Sequence, residues 1–409
     1  MMAADVVVVG GGPAGAAAAI TLARAGRDVV VVDKARFPRD KCCGDGLTAE
    51  ALRLLEVLGL DPGSVASWQA VDDVVVRSPS GRVSTFPLPR GDGLFAAVAR
   101  RSDLDAALLD VARAAGAKVL DGHALLDARQ KPDRVIVDVD GLGEVHAHFA
   151  VGADGVWSPL RKSVGAATPG YLGEWHAFRQ YFIGAGPEAR KLWVWFEPDL
   201  LPGYAWSFPL PDGRANVGFG IQRSDVHRPG HVDRVQAMKD VWPDLLARPH
   251  IRSVLGPAAR PEAAHRAWPI PARVDSTALT SGRVLFAGDA AYATDPLTGE
   301  GIAQALVTGV LAGRAMERGG PRDPEHVAAM YEAEVRTALF ADHRMSRALV
   351  HVVRHRRGAR AALRLASLTP WTARSFGRWL FEGYPRAIVA TPRRWHRGMF
   401  TAPGAYQNS

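Results

Sequence analysis

The 409 residues predict an α/β protein in which a Rossmann-like, parallel-stranded body is interleaved with an antiparallel-sheet body and followed by a helical C-terminal region. Three observations carry this. A buried apolar strand, Asp5 to Val9, runs into Gly10-Gly11-Gly12-Pro13-Ala14-Gly15 and then into an alanine-rich helix. Mid-chain, valine-rich and aromatic runs alternate with turn signals in the manner of antiparallel strands. Between His343 and Arg364, arginines interleave with Leu349, Val350, Val352, Val353 and Leu363, which suits a basic amphipathic helix.

The opening stretch has the form that cradles a pyrophosphate. Gly10 permits a tight turn, Gly12 lets backbone approach phosphate, and Gly15 lets the helix pack on the strand. The helix start at Pro13 and Ala14 then offers free N–H groups and a positive dipole end. A second strand ends at Asp33, eighteen residues after Gly15, where a ribose hydroxyl needs an acceptor; Lys34 follows it.

Composition bounds the rest. With 47% hydrophobic and 22% charged residues the chain is globular, and no apolar run reaches the eighteen residues a bilayer span needs. The first strand begins at once, so no signal peptide is expected and the protein reads as cytoplasmic. The two cysteines, Cys42 and Cys43, are adjacent, which argues against a disulfide framework and against a metal site. The net charge of +8 is concentrated in the tail, which reads either as a seat for an anionic membrane surface or as a helical cap with a solvated arginine face; nucleic-acid fold signatures are missing, so no nucleic-acid partner is expected.

Taken in order, residues 1-70, 99-165 and 276-320 make up the parallel body, 71-98 and 166-275 the antiparallel one, and 321-409 the helical region. The loop Phe37 to Thr48 contains Cys43-Gly44-Asp45-Gly46, whose glycines mark a close approach of backbone to something flat or bulky. Arg100 and Arg101 stand at a helix start, where an arginine either pairs with a phosphate or is a surface charge. Consecutive strands carry Trp193, Trp195, Tyr204, Trp206 and Phe208, a packed sandwich core or the wall of an apolar cavity.

Together these motifs resemble the FAD-dependent geranylgeranyl reductase family, within the p-hydroxybenzoate hydroxylase-like fold. The resemblance runs to about Arg314 and rests on the fingerprint with Asp33, the Pro38 to Gly46 loop, Ala153-Asp154-Gly155 with Ser158, and Gly288-Asp289 with Asp295 to Gly301. A Tyr-x-Trp-x-Phe-Pro strand adds Tyr204, Trp206, Phe208 and Pro209 as substrate-lining residues. The family's proline before the loop cysteine is replaced by Cys42, whose role is unexplained.

The resemblance implies an FAD-binding domain and a substrate-binding domain. Asp289 would accept ribityl hydroxyls, and Arg101, in Arg-x-x-Leu-Asp, would contact FAD. Pro296, Gly299, Gly301 and Ile302 would present a helix N-terminus to the pyrimidine end of the flavin. Cys43, Gly44, Asp45 and Gly46 would lie against the ring. A transient reductant such as NAD(P)H would dock near Asp154 and Gly155, since no second G-x-G-x-x-G follows a later strand.

The activity implied is reduction of C=C bonds in a polyprenyl lipid, such as a menaquinone side chain, geranylgeranyl diphosphate or a prenylated lipid. Its proton would come from Cys43, Asp45 or a bound water. Two alternatives stand beside it: an aromatic monooxygenase or halogenase, though a halogenase's lysine is missing between Val71 and Arg90, and a non-enzymatic prenyl-lipid escort.

Overall fold

The computed structural model describes residues 2–223, 238–381, 387, 391–392, 395 and 402–407, with backbone alone at 238, 239, 380 and 381. Val6 to Val9 are all buried, as a strand covered on both faces requires. Met2–Val9 pairs in parallel with Val29–Asp33 on one side and Gly143–Gly152 on the other. Lys118–Asp121 and Val284–Phe286 extend the parallel set, and Thr280–Ser281 closes one edge. The strands expected between 118 and 149 divide. The first joins the parallel sheet, while Leu125–Gln130 and Val135–Val139 form an antiparallel meander with Gly143–Gly152.

Two helices lie against each other beside this sheet, Pro13–Arg24 and Ile302–Gly319. Gly309 and Gly313 allow it: a β-carbon on Gly309 would stand 2.2 Å from the Ala14 carbonyl oxygen, and one on Gly313 2.9 Å from Thr21 Cβ. Residues 288 to 302 are thereby held beside the first turn of the N-terminal helix, where Gly288 also meets Ala14.

The second sheet runs Arg260–Pro261, Trp175–Ile183, Arg214–Gln222, Ala205–Leu210, Leu192–Trp195, Asp73–Arg77, Val83–Pro87, with Arg266–Ile270 beside Trp175–Ile183. Side chains alternate between its faces. Trp193 and Trp195 fall on one face with Phe178, Phe219 and Trp242, in the packed core that also takes in Ile251 and Leu255 of the helix Pro249–Leu255. These tryptophans are core, not cavity wall. Leu192, Val194, Tyr204 and Phe208 belong to the other face, against Leu363 of the helix Arg356–Ala366 and Phe376 of the helix Pro370–Phe381. Pro209, expected with Tyr204, Trp206 and Phe208, alternates to the opposite face with Ala205 and is no substrate-lining residue. A small sheet of Gly46–Thr48, Ala96–Val98 and Gln69–Ala70 carries the loop Cys43 to Gly46 toward the aromatic face.

The helical region also includes Pro324–Val335 and Ala341–Val353. Ala405 returns to pair with Leu94. The side chain of Phe381 lies outside the described ones.

Candidate active site

The glycine turn behaves as its spacing requires. Gly10 adopts φ +106°, and a β-carbon there would collide with the Ala153 carbonyl oxygen at 2.2 Å; one on Gly15 would meet the Gly10 oxygen at 1.8 Å. Pro13 occupies the first turn of its helix, whose N-terminus has no side-chain cap. Asp33 accepts the Gly11 N–H at 2.7 Å and the Ala35 N–H at 2.8 Å, which fixes its carboxylate beside the turn with acceptor capacity to spare. Lys34 is exposed next to it.

Above Gly12 sit two guanidiniums. A β-carbon on Gly12 would approach Arg39 Nη2 at 3.5 Å and Arg101 Nη2 at 3.7 Å. Arg101 is buried and donates from Nε and Nη2 to both oxygens of Asp105, each at 2.7 Å, and Arg39 pairs with the same carboxylate at 3.1 Å. Burial disfavours the Arg101 charge, yet Asp105 more than compensates and holds its pKa above the ordinary value. Arg101 was singled out by the resemblance; Arg39 was not assigned.

The second half of the site lies at Gly288-Asp289. Lys41 Nζ contacts Asp289 Oδ2 at 2.6 Å. Burial raises the Asp289 pKa, but Lys41, Arg101 and Thr294 together outweigh it, so this carboxyl titrates below its usual range and stays charged. In the following turn, where Pro296 is buried, Asp295 Oδ1 accepts the N–H groups of Leu297 and Thr298, and Oδ2 accepts Ser346 Oγ at 2.7 Å. Tyr204 Oη donates to the Thr298 carbonyl, tying the aromatic strand to the turn. The N-terminus at Gly301 and Ile302 differs from expectation. Glu300 Oε1 accepts the Ile302 N–H at 2.8 Å and the Ala303 N–H at 2.9 Å, so the chain's own carboxylate caps this helix, and Gly299 N–H goes to the Asp295 carbonyl.

Between the halves lies Asp45, fully buried with φ +66°. Its Oδ2 accepts Tyr181 Oη at 2.6 Å and Asn216 Nδ2 at 2.7 Å; its Oδ1 is buried without a hydrogen-bond partner among the described residues. Burial lifts this carboxyl to about 6 against the lowering pull of Arg179. Tyr181 is itself flanked by Arg179 at 4.0 Å and Arg100 at 4.3 Å from its ring centroid. Asn216 also donates to the Cys43 carbonyl at 2.8 Å and accepts Trp206 Nε1 at 3.0 Å. Gly44 and Gly46 sit under the Phe208 ring, where β-carbons would come to 3.3 and 3.1 Å. The loop is thus clamped on the aromatic face.

Cys43 Sγ accepts the Asp45 N–H at 3.3 Å. Burial, reinforced by the Asp45 carboxylate, raises the Cys43 pKa, and burial pushes Cys42 up to about 12. Both remain thiols at neutral pH. Cys42 donates to the Arg266 carbonyl at 3.5 Å and has a packing role. The Asp154 carboxylate accepts Ser158 Oγ at 2.6 Å and the Leu160 N–H at 2.9 Å, so it organises the loop that supports Gly10. Gly155, at φ +88°, is the turn in that loop.

The residues fit a flavin dinucleotide. An uncapped helix N-terminus, Arg39 and Arg101 converge at Gly12, and charged carboxylates at Asp33 and Asp289 flank them where two sugar-like chains require acceptors. Fold and site together define an FAD-dependent oxidoreductase. The comparisons specify it further. The FAD binding domain family matches residues 3–205. The chain is 35% identical over 370 residues to the menaquinone reductase of Mycolicibacterium smegmatis, covering 82% of this chain and 84% of that protein. It is 33% identical over 316 residues to digeranylgeranylglycerophospholipid reductase 2 of Methanopyrus kandleri, covering 76% of each. Among solved structures, a geranylgeranyl bacteriochlorophyll reductase-like protein of Thermoplasma acidophilum superposes with a TM-score of 0.78 at 21% identity, covering 96% of this chain and 99% of the other. The chain belongs to the FAD-dependent geranylgeranyl reductase family. The flavin-dependent halogenase CmlS, at TM-score 0.68 and 22% identity over 97% of this chain and 74% of its own, shares the fold alone.

Proposed function

We propose that the protein saturates C=C bonds of a polyprenyl lipid, with Asp45 as the proton donor and Tyr204, Trp206 and Phe208 as the wall along which the chain lies. The observation that carries this is the buried carboxyl at the loop beneath those rings, titrating near 6. The relatives are named reductases of menaquinone and of digeranylgeranylglycerophospholipid, lipids whose common element is a prenyl chain.

When bound and reduced, FAD supplies a hydride; Arg39, Arg101, Asp33 and Asp289 would hold it, and NAD(P)H or another reductant would reload it. An isolated alkene is not polarised, so a proton must be delivered to one carbon as the other takes hydride. Asp45 is built to hold that proton. Tyr181 and Asn216 both donate to Oδ2, which leaves Oδ1 as the oxygen that carries hydrogen. An acid near 6 is also closer to working pH than the raised thiol of Cys43, which positions the Asp45 backbone instead. Apolar rings keep water from the reacting face.

Access to lipid is proposed to come from the surface of the membrane. No described helix is long and apolar enough to cross a bilayer. Leu365, Leu368 and Trp371 are exposed at 63%, 61% and 69% within one turn region, next to the exposed arginines of the helix Arg356–Ala366. Apolar tips beside basic residues suit a peripheral seat on anionic lipid. The test of the activity is anaerobic incubation of the reduced protein with a prenyl lipid and mass spectrometry of the product. A gain of one H2 per saturated bond is expected; product that forms only with oxygen would sink the reading in favour of a monooxygenase.

A further inference from the structure

We propose that the groove between the helix Arg356–Ala366 and the hairpin Asp73–Arg77/Val83–Pro87 is a subsite for the phosphate or diphosphate head group of the substrate. This deepens the prenyl-reductase reading and rests on it for the tail, not for the head. The groove encloses about 390 Å³, with Arg82 on the hairpin and Arg357, Arg360 and Arg364 on the helix around it. Ser78, Ser84 and Ser367 add hydroxyls, and no acidic side chain lines it.

Neighbouring arginines are spent elsewhere: Arg354 donates to Gln222, Arg356 to the Pro79 carbonyl, and Arg344 and Arg347 pair with Asp275. Among the described residues, the guanidiniums of Arg82, Arg357, Arg360 and Arg364 have no ion-pair or hydrogen-bond partner, their backbone groups alone being engaged. Guanidiniums gathered without a carboxylate repel one another, and a multivalent oxyanion offering bidentate acceptors relieves that repulsion.

The groove shares an apolar cluster with the active site. Val76 and Leu363 line the groove and belong to the same apolar cluster as Tyr204 and Phe208. Val76 pairs with Val194, and Val194 with Trp206, so two strand spacings, ~10 Å, separate the groove from the ring over Gly44 on one sheet face. An amphiphile held by its head here would lay its chain across Val194 onto Trp206 and the Asp45 loop. A neutral quinone head has no use for such a site, so the groove selects phosphorylated prenyl substrates.

The experiment uses the FAD-loaded full chain. Inorganic pyrophosphate is titrated calorimetrically, and KM and kcat are measured for geranylgeranyl diphosphate and geranylgeraniol. Wild type is expected to bind pyrophosphate, which competes with the diphosphate and not with the alcohol. Arg360→Ser/Arg364→Ser should raise KM for the diphosphate by roughly tenfold or more, as loss of charge-assisted bonds predicts, with kcat and the alcohol's KM unchanged. Arg82→Ser, on the other wall and outside the helix, should act in the same direction. Equal KM values for the two substrates in wild type, or a diphosphate KM unmoved by both variants, would overturn the subsite while leaving the reductase reading intact. So would variants that lose sedimentation with phosphatidylglycerol vesicles yet keep pyrophosphate binding, because the arginines would then serve the bilayer. Reduction of neither compound would count against the reductase reading, and the pyrophosphate titration would still decide the subsite.

Discussion

Replacing Asp45 by Asn separates the proton from the shape that carries it. The side chain is fully buried, and Asn can keep acceptor contacts with Tyr181 and Asn216 through its oxygen. What disappears is an acid that titrates near 6 instead of 3.8. General acid catalysis contributes ~10²–10⁴-fold, so kcat for alkene reduction should fall by that factor while FAD content is unchanged. In wild type the protonated fraction, and with it kcat, should drop roughly tenfold per pH unit above 6, whereas the residual activity of the variant should be flat. Stability gives a second readout. The folded state binds this proton more tightly than the unfolded chain, so the group's contribution is full below about 4 and is lost as pH rises through about 6, some ~3 kcal/mol across that window. Asn mimics the protonated form and should gain up to about that amount over wild type at pH 8, with the gap closing in acid. Stopped-flow reoxidation of the reduced protein by a prenyl lipid and urea melts at several pH values measure both. A variant with wild-type turnover and an unchanged pH profile would refute Asp45 as donor.

Two further outcomes follow from the same structure. Because both thiols are raised by burial, maleimide or iodoacetamide at pH 7.5 should modify Cys42 and Cys43 slowly, and Cys42→Ala should leave turnover intact; rapid inactivation would point to a thiolate role. Leu368→Ser/Trp371→Ser should weaken co-sedimentation with anionic vesicles by roughly tenfold or more, having removed up to about 3 kcal/mol of apolar burial, without altering FAD content; undiminished binding would show that these tips do not enter lipid.

What could be read beforehand was local. The turn from Gly10 to Gly15 and the acid at Asp33 depend on spacing along one strand, one helix and the next strand, so sequence order is spatial order there. Arg101 was singled out only through the resemblance; its pairing with Asp105, four residues on, appears in the structure. Tyr181 and Asn216 reach Asp45 across 136 and 171 residues, through strand pairings whose register no local pattern specifies. Arg39 stood inside a recognised loop, but its direction depends on Asp105 in a different helix. Period-two alternation alone puts Pro209 on the face opposite Phe208. The helix start at Ile302 differs from its reading because the Glu300 carboxylate accepts N–H groups that were read as facing a ligand.

The turn from Asp295 to Gly301 is fastened from two directions, by Tyr204 through the Thr298 carbonyl and by Ser346 through the Asp295 carboxylate. The helix Ala341–Val353 is therefore a buttress of this turn and not a detachable handle. Any free energy by which flavin binding tightens that turn also tightens the docking of this helix, and thermodynamic reciprocity makes the converse equal in size. A force that pulls the basic tail away from the body, whether from a bilayer or a partner, would be felt as a weaker grip on the flavin. Deleting the tail to improve handling of the protein would carry the same penalty.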